Sequence, residues 1–409
     1  MTDVLVLCAV VDNFGDIGFV YRLSRALSAC APHFRLHLVV DDLETFSLLA
    51  PGIDPTRIVQ NYAGWTVCNW HAAAENIAAI KKNPPRVILE CFACGRPAWL
   101  EDALFEHGLP HIVHIINIEF VTAEPYAEEF HLLASATRSP RVKKLNFMPG
   151  FTPKTGGLII DTPYRALPPG AAQGGKNLTS RDSLLQKNAD VFRILLFSYD
   201  RDFSPLIAAI AAFGQRQTTA CGTIQVLLAA GAGAPPFLRA WQNAGRPFPV
   251  EPLPFLPQET WDAVLLTASF LFVRGEDSLT RACLSGIPFV WHAYPQSDNY
   301  QLVKVHALLS RLEPYFAADD FALLSACWHA YNAPLEMDSI PALAEAPPTK
   351  TALSVPKMPP APDEEKLLLS VLQRLELFAT GFRAFSASLH KNGDCAAHLR
   401  DCIEKLTGA

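Results

Sequence analysis

Short unbroken apolar runs alternate along most of this chain with stretches whose apolar positions recur at helical spacing. Asp3–Val11 (DVLVLCAVV) reads as a strand buried on both faces of a parallel sheet. It delivers the chain into Asp12-Asn13-Phe14-Gly15-Asp16-Ile17-Gly18, a polar loop, and Phe19–Ala29 then reads as an amphipathic helix. Further strands are predicted at Arg35–Val40, Arg86–Leu89 and His111–Ile118, and helices at Glu44–Leu49, Ala72–Ile80 and Ala98–Glu106. This β-α alternation argues for a parallel sheet covered by helices on both sides. Ligand-handling groups in such sheets gather at the C-terminal ends of strands, where Asp12, Asp16, Glu90 and Glu119 fall.

Proline and glycine crowd the polar stretch from Thr162 to Asp190, which reads as a linker. A second alternating set follows: strands at Phe192–Phe197 and Ile224–Ala229, and helices at Pro205–Phe213, Pro236–Ala244 and Glu259–Ala268. The expected organisation is therefore an α/β chain with two Rossmann-like domains facing across a cleft, the GT-B architecture, over residues 1–162 and 191–332. Residues 163–190 link them. Residues 333–363 form a proline-dense, low-complexity segment without a functional reading, and helical patterns within 364–409 are expected to pack back on the domains.

The stretch from Arg274 to Gln301 (RGEDSLTRACLSGIPFVWHAYPQSDNYQ) carries the densest chemistry. Ser269–Val273 (SFLFV) is a strand that RGED breaks; Leu279–Ser285 reads as a helix that Gly286 and Pro288 end, and a second loop follows. A helix start at Asp277 and Ser278 would offer a phosphate free N–H groups, the positive end of the helix dipole and the Ser278 hydroxyl. Asp277 would repel a phosphate and suits a helix cap or a ribose hydroxyl instead. From spacing alone, the stretch fits an ordinary strand, turn and capped helix equally well.

Composition narrows the function. Half of the 409 residues are apolar and 18% are charged, which suits two folded domains. A net charge of −6 with no concentrated Lys or Arg argues against nucleic acid as the main partner. No apolar run reaches membrane-spanning length and the N-terminus lacks the marks of a secretory signal, so a cytoplasmic location is expected. The ten cysteines are scattered among apolar segments and read as reduced core residues. No metal site is expected. Cys91 and Cys94 lack a second C-x-x-C pair, His111 and His114 face opposite sides of a strand, and Asp200-Arg201-Asp202 sits where it caps the helix opening at Ser204-Pro205.

RGEDS followed by Pro288, Phe289, Trp291, His292, Tyr294, Pro295 and Gln296, together with VDNFGDIG near the N-terminus, resembles the protein-arginine rhamnosyltransferases that modify elongation factor P. ECFACGRP and the GGLI at Gly156–Ile159 are weaker matches in the same order. Ile118-Glu119-Phe120 departs from the family's Trp-Glu-Tyr, and the tail from residue 333 has no clear counterpart.

The resemblance implies an inverting enzyme that moves rhamnose from dTDP-β-L-rhamnose to an arginine of elongation factor P, without a cofactor. It makes residues 1–162 the acceptor-binding domain and 191–332 the nucleotide-sugar domain. Arginine stays protonated at physiological pH, so carboxylates must align it and accept its proton. Asp16 is assigned as the base and Asp12 as the orienter, on a loop whose Asn13, Phe14 and Gly15 are expected to bind substrate. Glu276 contacts the sugar or supports the arginine site. The leaving diphosphate falls to the helix start at Asp277-Ser278 and the hydroxyl of Tyr294, and Arg274 is expected among the substrate-binding residues. Phe197, Tyr199, Phe255 and Gln258 fall where the family holds the base. The sequence leaves open a GT-B transferase acting on a small molecule or lipid carrier, a non-catalytic nucleotide-sugar-binding module, and the oligomeric state.

Overall fold

A computed structural model describes residues 1–10, 14–165, 191–216, 223–296, 298–333 and 363–408. The chain forms two compact units. One is Met1–Ala166 with Leu256–Thr260 and Leu389–Ala409; the other is Leu167–Phe255 with Trp261–Ser388. The proline-dense segment and most of the linker lie outside the described residues, as do Asp12 and Asn13.

The first unit is built on strands β1 (Thr2–Cys8), β2 (Phe34–Val40), β3 (Val59–Tyr62), β4 (Trp65–Asn69), β5 (Val87–Cys91), β6 (Val113–Ile118), β7 (Ala134–Ser135) and β8 (Val142–Phe147). They form one sheet in the order β3-β4-β2-β1-β5-β6-β8-β7, parallel except at its two edge strands. Its helices are α1 (Phe14–Cys30), α2 (Leu43–Leu49), α3 (Ala73–Lys82), α4 (Ala98–Glu101), α5 (Tyr126–Phe130) and α6 (Thr162–Arg165). β1 and β5 lie side by side at the centre, in register from Val4 with Val87 to Leu7 with Glu90. Both faces of these strands are covered, which is why they read as continuous apolar runs. Leu5, Leu7, Ile88, Trp99, Leu100 and Ile115 form the heart of this core.

Three local expectations change here. α1 begins at Phe14, so Phe14, Gly15 and Asp16 occupy its first turn rather than a loop. An acid there is favoured by the helix dipole. The hairpin of β3 and β4 was not legible because its turn, Ala63-Gly64, lacks the usual Asn-Gly signal although both residues take positive φ (50° and 86°). The predicted helix over Ala98–Glu106 widens after Glu101 into π-type turns over Asp102–His107.

The second unit carries a fully parallel sheet of β9 (Val191–Leu196), β10 (Thr223–Leu228), β11 (Val250–Pro252), β12 (Phe270–Arg274) and β13 (Phe289–His292), ordered β11-β10-β9-β12-β13. Its helices are α7 (Ser204–Arg216), α8 (Ala234–Asn243), α9 (Gln258–Leu265), α10 (Glu276–Ser285), α11 (Tyr300–Leu312) and α12 (Ala318–Tyr331). The residues after Pro288 are a buried strand rather than a loop: FVWH is aromatic and β-branched, and it pairs with β12. α10 begins at Glu276 behind Gly275, so Asp277 lies inside the first turn and is not the cap.

The C-terminal segment divides into α13 (Glu364–Gln373), α14 (Leu375–Lys391) and α15 (Cys395–Thr407). α13 packs on α7 and α12 in the second unit. Arg201 Nη2 donates to both carboxylate oxygens of Glu364 (2.5 and 2.6 Å), and its guanidinium lies over the Tyr331 ring. α15 packs on α1 in the first unit, where Asp394 caps α15 and accepts hydrogen bonds from Ile160 N and Arg165 Nη2. No helix among the described residues is long and apolar enough to cross a membrane.

Candidate active site

In each sheet the strand order reverses beside the first strand: between β1 and β5 in one unit, and between β9 and β12 in the other. Outside the carboxyl ends of strands, such reversals open the crevices where α/β proteins bind ligands. Asp16 follows β1 in the chain, Phe197 and Tyr199 follow β9, and Arg274 ends β12.

In the first unit, Asp16 sits in the first turn of α1 and is only 2% exposed. It faces the ends of β1 and β5. Burial pushes the Cys8 and Cys91 thiols far up, and the nearby Asp16 charge adds to the effect on both. These thiols are protonated, as is Cys94, pushed up to about 11 by burial. Among the described residues no group of three His, Cys, Asp or Glu side chains is placed to hold a metal ion. Phe14 is 36% exposed and Gly15 is exposed on the same turn. Glu90 and Glu119 are engaged. Glu90 is buried against Arg96 (3.1 Å) and Lys144 (2.8 Å), and Glu119 accepts from Asn117 Nδ2.

Gln258, expected beside the base, is engaged at both ends of its amide. It is 3% exposed; its Nε2 donates to Gly18 O (2.8 Å) and its Oε1 accepts from Arg25 Nη2 (2.8 Å), so both ends of the amide serve the helix that carries Asp16. Glu259 joins the same cluster, accepting from Tyr21 Oη (3.0 Å) and pairing with Arg25. This first turn of α9 belongs to the first unit, a fact of tertiary packing that local sequence does not encode.

In the second unit, the exits of β9 and β12 bring Phe197, Tyr199 and Arg274 together. The Arg274 guanidinium lies over both rings, 4.6 Å from the centroid of Phe197 and 4.5 Å from that of Tyr199. The faces expected to receive a base thus carry a guanidinium. Tyr294, 37% exposed at the exit of β13, meets Tyr199 edge-on at 5.3 Å. Glu276, Asp277 and Ser278 form the first turn of α10; Glu276 lies 4.0 Å from Lys304, and Asp277 4.0 Å from Arg281. Ser278 is largely buried and Phe255 is 39% exposed. This half therefore presents a fixed cation beside the N-terminus of a ten-residue helix, which suits an anion.

Sequence reasoning missed two features. A Cβ on Gly233 would stand 2.5 Å from Ser198 O, and one on Gly231 3.3 Å from Arg274 Nη2, so this Gly-Ala-Gly turn after β10 lets the backbone close around the arginine. The motif itself was the signal. Beneath it, His292 Nδ1 meets Ser198 Oγ (2.8 Å), which also contacts Tyr331 Oη (3.1 Å). Burial, helped by the charges of Arg201 and Arg274, pushes His292 down to about 3, so the ring is neutral and pins the end of β13. Asn332 secures the next residue by accepting from Ala293 N and donating to Trp291 O, each at 2.8 Å.

Comparisons with known proteins identify the family. A protein-arginine rhamnosyltransferase of Pseudomonas putida is 33% identical over 356 residues, covering 81% of this chain and 87% of that protein. One from Shewanella oneidensis is 32% identical over 330 residues, covering 74% and 79%. A solved structure described as the structural basis for EarP-mediated arginine glycosylation of translation elongation factor EF-P superposes with a TM-score of 0.57 at 21% identity, over 99% of each chain, and supports the GT-B fold. The model of the Elongation-Factor P (EF-P) rhamnosyltransferase EarP matches residues 4–401, nearly the whole chain, and this protein therefore belongs to the EarP family of glycosyltransferases.

Proposed function

We propose that this protein transfers rhamnose from dTDP-β-L-rhamnose to an arginine side chain of elongation factor P, with inversion and without a metal ion or other cofactor. The observation that carries the donor side is Arg274, laid across Phe197 and Tyr199 next to the first turn of α10. A cation fixed in that way can neutralise a leaving diphosphate, the task a divalent ion performs elsewhere. Ser278 and the hydroxyl of Tyr294 add donors, Glu276 holds a sugar hydroxyl, and the partly exposed ring of Phe255 receives thymine.

On the acceptor side, Asp12 grips the guanidinium and Asp16 takes its proton. The arginine nitrogen bonds to the anomeric carbon as the C–O bond to the diphosphate breaks, and the departing oxygen keeps the electron pair. One displacement inverts the carbon. The near-complete burial of Asp16 supports its role, because a carboxylate shielded from water aligns and deprotonates a cation more effectively. Elongation factor P is a translation protein, so the reaction belongs in the cytoplasm.

Intact-mass spectrometry of elongation factor P incubated with this protein and dTDP-rhamnose tests the assignment. A gain of one deoxyhexose, mapped to an arginine, is expected. An unchanged mass, with dTDP binding measurable, would overturn the acceptor.

A further inference from the structure

We propose that the exposed face of Phe120, backed by Phe92, is the platform on which the acceptor guanidinium lies while Asp16 engages its N–H groups; this inference rests on the arginine-acceptor reading above. Phe120 follows β6 and Phe92 follows β5, the strand that flanks the crevice beside β1. Their rings stack nearly parallel, with centroids 4.3 Å apart and planes at 15°. Phe92 also meets the edge of Phe19 at 5.1 Å. Phe19 lies on α1 one turn after Asp16, so the stack runs from the helix that carries the base out to solvent.

The backbone supports a functional role. Phe92 and Ala93 both take left-handed φ (59° and 49°), a conformation that is unfavourable for a residue with a side chain and concentrates at functional sites. Tertiary contacts hold it there: Phe92 N donates to Ile118 O (2.7 Å) and Ala93 N to Asn117 Oδ1 (3.2 Å). A packing role alone would be met by an apolar side chain turned inward. Phe120 remains 43% exposed although a flat ring covers its inner face.

The chemistry fits a guanidinium in particular. It is a planar cation whose N–H groups lie in its plane and whose faces are weakly hydrated. A carboxylate reads the edge and an aromatic ring takes the face, so the two can hold one arginine together. A ring also stabilises the cation without occupying the N–H that must lose its proton.

The test measures binding of elongation factor P, and of its acceptor-arginine→Ala variant, to the wild-type protein, Phe120→Leu and Phe120→Tyr, with dTDP binding as the check on folding. Phe120→Leu should weaken elongation factor P roughly 3- to 30-fold, the span of guanidinium–ring contacts from exposed to desolvated. Phe120→Tyr, which keeps the π face, should bind as wild type. With the arginine→Ala acceptor, all three proteins should bind equally. Equal weakening of both acceptors by Phe120→Leu would make Phe120 a general docking contact and overturn the platform, as would no weakening of either. A wild-type protein that neither binds nor modifies elongation factor P would overturn the acceptor reading itself, and this inference with it.

Discussion

Replacing Arg274 by lysine keeps the charge and removes the plane. The guanidinium lies 4.6 and 4.5 Å from the centroids of two half-buried rings, and each such contact contributes about 0.5–2 kcal/mol as exposure falls. Losing both costs roughly 1.5–2.5 kcal/mol of the interaction that holds the cation ready. A flexible lysine recovers part of this through its charge, which leaves a net effect of about 10-fold on diphosphate binding. Calorimetric titration with dTDP and with thymidine separates the contributions. Arg274→Lys and Phe197→Leu should each weaken dTDP about 10-fold and leave thymidine unchanged, because the rings act on the phosphates through Arg274. If Phe197→Leu weakened thymidine as much as dTDP, the ring would be holding the base, and the reasoning would fail.

Three further outcomes are expected. Asp16→Asn should lower the rate of transfer to elongation factor P by about 10²- to 10⁴-fold with dTDP affinity unchanged; retained transfer would remove Asp16 as the base. Arg201→Met leaves Glu364 half-buried without its cation and should cost about 3 kcal/mol, seen as a fall in the unfolding midpoint of the second unit; an unchanged midpoint would show that α13 docks without the pair. His292 resists protonation in the fold but accepts a proton near its ordinary value of 6.5 when unfolded. Its contribution is therefore complete above pH ~6.5 and declines as pH falls toward about 3, by up to ~1.4 kcal/mol per pH unit. Denaturant unfolding at several pH values should show this slope reduced by about one proton in His292→Asn; parallel curves for the two proteins would contradict it.

Local patterns along the chain were enough to place the two strand-and-helix sets, the strand exits that carry Asp16 and Arg274, and the family. Strand burial on both faces imposes continuous apolar runs, and helix packing imposes its own period, so β1, β5, β9 and β12 could all be read locally. The motif order placed Asp16 and the Arg274–Ser278 turn at strand exits without reference to neighbours.

Tertiary structure decided which partners those residues meet. Gln258 turns to Gly18 and Arg25, far away in sequence, and Arg274 covers rings contributed by another strand. Phe120 finds Phe92 because β5 and β6 are neighbours, and Asp394 ties α15 to Ile160 and Arg165. The physical reason is that periodicity records whether a side chain faces the core. Which side chain meets it there depends on strand order and helix packing across the whole unit, which no single stretch of the chain contains.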